Sequence, residues 1–262
     1  MPLSLTDTNN TFITTLLLGG SGLAGLVLGS FVTTAALRSI TGGSALTGRS
    51  GCDHCGRTLG WTETLPVISM SILKGRCRTC RGRIDASHLA GEISGALCVT
   101  LPLALVPLPQ GLIVAAIGLI LLASSVIDAK TCRLPNVLTF AVLLSGAALT
   151  LLRGEGLAAL GWAVGVFLTM KGVQYLLSRR LKTQALGEGD IKLVAALALW
   201  LGSGIVYALC LACVSALLFI VARRHKGLLP FGPFVATGAF LVGLQLESHV
   251  LHGVWLNLMG GV

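Results

Sequence analysis

The stretch GLIVAAIGLILLASSVI, residues 111–127, runs directly into Asp128, Ala129 and Lys130. It holds no charged residue, and its length approaches the roughly 20 residues of a membrane-crossing helix. A carboxylate at its end is therefore placed at a membrane edge. The rest of the chain agrees. Its 262 residues are 54% hydrophobic and 11% charged, with 34 glycines, whereas a soluble domain carries about 25% charged residues. So few charges cannot cover a water-soluble globule of this size. A soluble enzyme, a disordered tail and a disulfide-stapled secreted module are excluded. The class that remains is an all-α polytopic membrane protein.

Seven more apolar spans flank this one. They run over about 11–37, 89–106, 135–152, 157–177 and 229–246, with two within 191–222 that break near Gly202, Ser203 and Gly204. The expectation is about eight transmembrane helices, with a turn at 107–110. Both termini then lie on one side. The net charge is +9, and eight of the 19 Lys and Arg fall between Arg38 and Arg83. The others cluster at 130–133, 179–192 and 223–226, except Arg153 and Lys171. Alternate loops are thus basic, and the positive-inside rule places them in the cytoplasm. Scattered clusters do not make the continuous basic face that nucleic acid needs, so no nucleic-acid partner is expected. The first ten residues hold no Lys or Arg. No cleavable signal peptide is expected, and the N-terminus is expected to face away from the cytoplasm.

Residues 38–88 are the one long polar stretch. They carry Cys52-Asp53-His54-Cys55 and Cys77-Arg78-Thr79-Cys80, two C-x-x-C pairs with 21 residues between them. Each pair can offer two thiolates to one tetrahedral ion, and the spacing is that of a four-cysteine zinc site. Glycines at 51, 56, 75 and 82 are expected to relieve the turns. The other readings are two disulfides, unpaired thiols, or His54 in place of one cysteine. A reducing cytoplasmic loop disfavours disulfides. A loop this small buries little core, so bound metal would supply folding free energy. Cys98, Cys210 and Cys213 sit in apolar spans and are expected to pack as small hydrophobes.

Ionisable groups at membrane spans are functional candidates by default. Asp128 ends the third span, and Asp190 begins the sixth within Gly187-Glu188-Gly189-Asp190-Ile191-Lys192. The topology puts both at the cytoplasmic edge. Two carboxyls at close range share a proton, which lets one activate water while the other polarises a carbonyl. That is aspartic peptidase chemistry. Gly187 and Gly189 leave room for close backbone approach. Taken singly, Asp128 could pair with Lys130 or Arg133, and Asp190 could cap its helix. Glu92 lies inside the second span as a pairing or substrate-binding group. Lys192 could pair locally. Gly20 to Gly25 matches G-x-G-x-x-G, but no strand precedes it, so it reads as helix rather than dinucleotide site. Gly25 and Gly29 make a G-x-x-x-G packing motif.

Together these motifs resemble the type IV prepilin peptidases over about residues 29–238. Gly29-Ser30-Phe31 leading to Arg38 is similar to that family's opening. Both cysteine pairs, Trp61, and Leu65-Pro66-Val67-Ile68-Ser69 are similar to its cytoplasmic loop. Glu92 is similar to a glutamate after that loop. Ile127-Asp128 with Leu134-Pro135-Asn136, then Gly187-x-Gly189-Asp190-x-Lys192, look like its two aspartate motifs. Pro230-Phe231-Gly232-Pro233 looks like its last. His88-Leu89 departs from a common Tyr-Pro, and 129–133 is unusually basic. The resemblance implies Asp128 and Asp190 as the catalytic pair, with Gly187, Gly189, Lys192 and Glu92 in support. It implies cleavage of a basic leader, after a glycine, from prepilin or pseudopilin substrates at the cytoplasmic face of a bacterial inner membrane. It also implies N-methylation of the new terminus with S-adenosylmethionine. The expected organisation is a first helix at 1–37, a zinc-binding loop domain at 38–88 and a seven-helix membrane domain at 89–262. Two readings from other classes are a proton-coupled transporter that uses both aspartates and a non-enzymatic assembly scaffold docking through the loop. The sequence assigns no oligomeric state.

Overall fold

A computed structural model describes residues 5–44, 48–52, 54–182, 187–224 and 227–248, with side chains from residue 15 onward. His225, His249 and His252 and the first four residues lie outside these. Among the described residues the chain is helical, apart from two isolated β-bridges in the cysteine loop. Eight long helices are present: α1 (Leu5–Ile40), α3 (Ala86–Leu105), α4 (Leu108–Thr131), α5 (Asn136–Leu152), α6 (Gly156–Leu181), α7 (Glu188–Leu201), α8 (Gly204–Arg223) and α9 (Gly232–Glu247). The short α2 (Ile68–Ile72) lies in the loop. Five of them, α1, α3, α4, α6 and α8, are long and apolar enough to cross a membrane, and α5 is apolar but shorter.

Most helices outrun the apolar stretches that announce them. α4 continues through Asp128 and Lys130 to Thr131, and α6 through Arg179 and Arg180. Cations in a last turn suit the negative helix end, so they extend these helices rather than stop them. The expected turn at 107–110 shrinks to Val106 and Pro107, because a proline at 109 fits the first turn of α4. Gly154 and Gly202, with φ of 73° and 54°, turn the chain where α5 and α7 end.

In lipid, helices gain no water-release energy by meeting, so close contact between small residues has to hold them. α1 and α3 show this. A side chain at Gly25, Gly29 or Gly95 would strike the backbone of the partner helix. The G-x-x-x-G of α1 is thus a crossing point. α7 is the innermost helix, with Ile191, Leu193, Val194, Leu197 and Trp200 all fully or nearly buried. Around it lie α5, α6, α8 and α9, while α4 links this group to the α1–α3 pair. At the end where α5, α7 and α9 finish, Arg153 donates to Glu247 Oε1 at 3.0 Å and to the Trp200 carbonyl at 2.6 Å. The Trp200 indole donates to the same Glu247 oxygen at 3.1 Å. Cys98 packs against the core as expected, but Cys210 and Cys213 face out from α8.

Candidate functional site

Asp128 sits on the last turn of α4 and is only 4% exposed. Its Oδ2 accepts the backbone N–H of Gly232, the first residue of α9, at 2.8 Å. Neither local partner expected for it takes it: Lys130 pairs with Asp85 at 2.6 Å instead. Asp190 is the third residue of α7, whose N-cap is Gly187, so it is not the cap itself. It lies close enough to Asp128 for the two charges to act on each other. The two aspartates are therefore brought together, from helix ends 62 positions apart in the sequence.

Three glycines make the approach possible. A Cβ at Gly232 would lie 2.7 Å from Asp128 Oδ2, and one at Gly187 would lie 2.9 Å from Asp190 Oδ2. A Cβ at Gly189 would lie 2.9 Å from that of Leu134, in the turn after α4. Gly232 is the residue that sequence reasoning missed: it stands in a quoted motif, but nothing in the sequence joins it to a carboxylate 104 positions away. The neighbours of Asp190 point elsewhere. Glu188 takes both oxygens to Lys171 of α6 at 2.7 Å, with Gln174 at 3.1 Å. Lys192 donates to Asn136 of α5 at 3.1 Å. The start of α7 is thereby fastened to two helices, α6 and α5.

The four cysteines converge. The Sγ atoms of Cys52, Cys55, Cys77 and Cys80 all lie within 4.8 Å of one another, and Cys52 and Cys80 are 3.7 Å apart. A tetrahedral zinc with bonds of roughly 2.3 Å spaces its sulfurs by about 3.8 Å. All four are free thiols, so the disulfide reading has no support. His54 stays out, its Nε2 against the Arg83 carbonyl at 3.1 Å. The knuckles close alike, by Cys52 N–H to Arg57 O and by Cys77 N–H to Gly82 O, both 2.9 Å. Gly56 takes the left-handed position after the first pair, with φ 68°. After the second pair Arg81 takes it, at φ 59°, and Gly82 instead makes room for the His54 ring. The N–H groups of Cys80 and Thr79 draw the Cys77 thiol down to about 6, whereas burial and the neighbouring thiols push Cys80 up to about 11.

Glu92 does not join the aspartates through any hydrogen bond among the described residues. Its oxygens accept Ser30 Oγ of α1 at 2.9 Å and the N–H of Val67 in the loop at 2.8 Å. It faces a cavity of about 590 Å³ between the loop, α1, α3 and the end of α4. Asp85 caps α3 by accepting the Ser87 N–H at 2.8 Å. The Lys130 ammonium beside it holds its carboxyl down at about 2.

Fold and site together define a helical membrane protein whose interior helix ends hold an aspartate pair. Comparisons with known proteins supply the family. The family model described as the bacterial Peptidase A24 N-terminal domain matches residues 23–105, and that of the type IV leader peptidase family matches residues 113–221. A prepilin leader peptidase/N-methyltransferase of Burkholderia pseudomallei is 37% identical over 205 residues, covering 72% of this chain and 65% of its own length. A type 4 prepilin-like proteins leader peptide-processing enzyme of Escherichia coli is 32% identical over 196 residues, 72% of this chain and 73% of its own. A prepilin leader peptidase/N-methyltransferase of Aeromonas hydrophila is 29% identical over 211 residues, 76% of this chain and 72% of its own. The chain spans just under two thirds of the length of the Burkholderia relative. No solved structure matches it. The chain belongs to the type IV leader peptidase family.

Proposed function

We propose that this protein is a membrane aspartic endopeptidase. It removes the basic leader of type IV prepilins or pseudopilins, then methylates the new amino terminus. The observation that carries the reading is the convergence of Asp128 and Asp190 at one end of the bundle, with the Gly232 N–H on Asp128. A backbone N–H on Oδ2 favours the charged form, which supports Asp128 as the carboxylate of the pair. Asp128 takes a proton from the attacking water. Asp190, carrying the shared proton, hydrogen-bonds the scissile carbonyl and meets the oxyanion as it forms. Asp128 then passes the proton it took from water to the leaving amine, the C–N bond breaks as the carbonyl re-forms, and Asp190 keeps the shared proton. Gly187 leaves the approach to Asp190 open to an extended peptide, Gly189 lets α7 close against Leu134, and Lys192 with Glu188 holds the start of α7 in place.

The eight long helices cross the bacterial inner membrane, with the aspartates and the loop on its cytoplasmic side. Residues 38–88 form a structural zinc domain between the first helix (1–37) and the seven-helix unit (89–262). Zinc held by Cys52, Cys55, Cys77 and Cys80 would fix the loop, with no open position for water. Methyl transfer is named in the relatives, and the donor is S-adenosylmethionine. A proton-coupled transporter would need acids at several membrane depths. Here the two aspartates share one end, and Glu247 at the other is already paired with Arg153.

Co-expression with a candidate prepilin tests the reading. The substrate is expected to shorten with the wild type and to stay full length with Asp128→Asn or Asp190→Asn; shortening by both variants removes the catalytic assignment. The amino-terminal mass of the product, one methyl group heavier, tests the transferase half. Zinc analysis of Cys52→Ser tests the metal.

A further inference from the structure

We propose that residues 61–72 of the cysteine loop seat in the anionic cytoplasmic leaflet of the bilayer, with Trp61, Leu65, Ile68 and Ile72 against lipid. This goes beyond the proposed function and rests only on its cytoplasmic placing of the loop. The loop belongs to the one long polar stretch of the chain, yet these four side chains do not suit water. Trp61 is 79% exposed, Ile72 73%, Ile68 55% and Leu65 38%. Ile68 and Ile72 stand four apart on α2 and share one face. The opposite face is already used: Ser69 and Met70, with Leu73 after them, line the cavity inside the loop. Among the described residues nothing covers the outward face, and a helix apolar on both sides needs an apolar neighbour on each.

Depth identifies that neighbour. Val67, the N-cap of α2, donates its N–H to Glu92 Oε2 at 2.8 Å. Glu92 is the seventh residue of α3, about 9 Å along the axis from its start. Its other oxygen accepts Ser30 Oγ, ten positions before α1 ends. Both α1 and α3 are long and apolar enough to span a membrane. The start of α2 is thus tied beside the shafts of two membrane helices, not beyond their ends. The 20 residues of α3 match a hydrocarbon layer of about 30 Å, and interfacial helices settle about 5–10 Å into its boundary. Val67 makes the tie at φ 61°, uncommon for a β-branched residue, and Lys74 leaves α2 at φ 50°, so the chain turns sharply at both ends. Charge favours the leaflet over other partners. Lys74, Arg76 and Arg78 follow α2 and are exposed, and no Asp or Glu stands between Glu63 and Asp85. Anionic headgroups attract such a run; the basic leader proposed for the substrate, or a second copy of the same surface, is repelled. Trp61 suits the same boundary, where indole rings gather.

The full chain carrying photoreactive p-benzoylphenylalanine in place of Ile72 or, separately, Ile68 tests the proposal. It is placed in vesicles of phosphatidylethanolamine and phosphatidylglycerol together with a prepilin. Illumination is expected to add the mass of one phospholipid at either position. Phosphatidylglycerol is expected to be enriched over its supplied share by about fivefold, the worth of one nearby cation. Lys74→Gln with Arg76→Gln is expected to remove that enrichment. Adducts to the prepilin or to a second copy in place of lipid, or no adduct at either position, overturn the proposal. A lipid adduct without enrichment overturns the charge selection. Both positions are exposed, so the probe disturbs no core. Trp61 gives a second reading free of the probe. Lipids brominated near the top of the acyl chain are expected to quench a part of the wild-type fluorescence that is absent from Trp61→Phe; equal quenching of the two overturns the seating. Cleavage of the prepilin in the same vesicles is read separately, so a failed seating leaves the peptidase reading standing.

Discussion

A methyl group added at position 232 would come within 2.7 Å of Asp128 Oδ2, so one of the two must move. The carboxylate is what the chemistry needs fixed, and misplacement by about 1 Å costs roughly 100-fold. Gly232→Ala is therefore expected to lower leader cleavage by about two orders of magnitude, with zinc content and membrane insertion unchanged. Asp128→Asn and Asp190→Asn are expected to cost about 10²–10⁴-fold, the range for losing a positioned acid or base. Gly161→Ala is the control: nothing stands within 4 Å of a Cβ there, and cleavage is expected to hold. All are read from the ratio of cut to uncut substrate over time. These residues differ in how far the sequence reveals them. Asp128 and Asp190 stand out because a charge at the edge of an apolar span is conspicuous by composition alone. Gly232 does not, because its importance is a distance to a residue on another helix.

At the level of the helices, the contacts that set the site's shape run between elements. The Asp85–Lys130 pair ties the start of α3 to the last turn of α4. Asp85 is held down at about 2 by the hydrogen bond from Lys130. A depressed carboxyl contributes above its unfolded value of about 4 and loses that contribution as pH falls through about 2. The pair is partly exposed, so the gain is below about 1 kcal/mol. Asp85→Asn, which still caps α3, is expected to lower the unfolding temperature slightly at pH 6 and not at pH 2. The Arg153–Glu247 pair lies deeper, with Glu247 side chain 5% exposed. Arg153→Met is expected to cost about 3–5 kcal/mol by stranding that carboxylate. Arg153→Met with Glu247→Gln is expected to recover much of it in detergent unfolding. The sequence places Arg153 alone on the less basic side of the membrane, yet not its partner, because Glu247 lies 94 positions away. Helix number is legible because apolar runs and Gly or Pro breaks are local. Helix ends are less so, because charged last turns such as Arg179 and Arg180 remain helical.

Across the whole molecule, the loop and the bundle answer to different forces. Among its described residues the loop has α2, one turn of 3-10 helix at Trp61–Glu63 and two isolated β-bridges, so the proposed metal would supply much of what holds it. Chelation is expected to make residues 48–83 sensitive to protease while circular dichroism keeps nearly all its helical signal. The bundle depends on packing around α7, and that helix is short. Its 14 residues rise about 21 Å, against a hydrocarbon layer of about 30 Å. With the clasp at Trp200 set at one face of that layer, the near end of α7 would stop short of the other. In the proposed orientation Asp190 would then lie at or just inside the headgroup level, where the thickness of the layer bears on its access to water. Bilayer thickness becomes a setting of the reaction. In vesicles of longer acyl chains cleavage is expected to slow; in shorter chains it is expected to quicken until the helices tilt. On the proposed reading, hydrolysis would answer to the lipids around the protein as well as to its two acids.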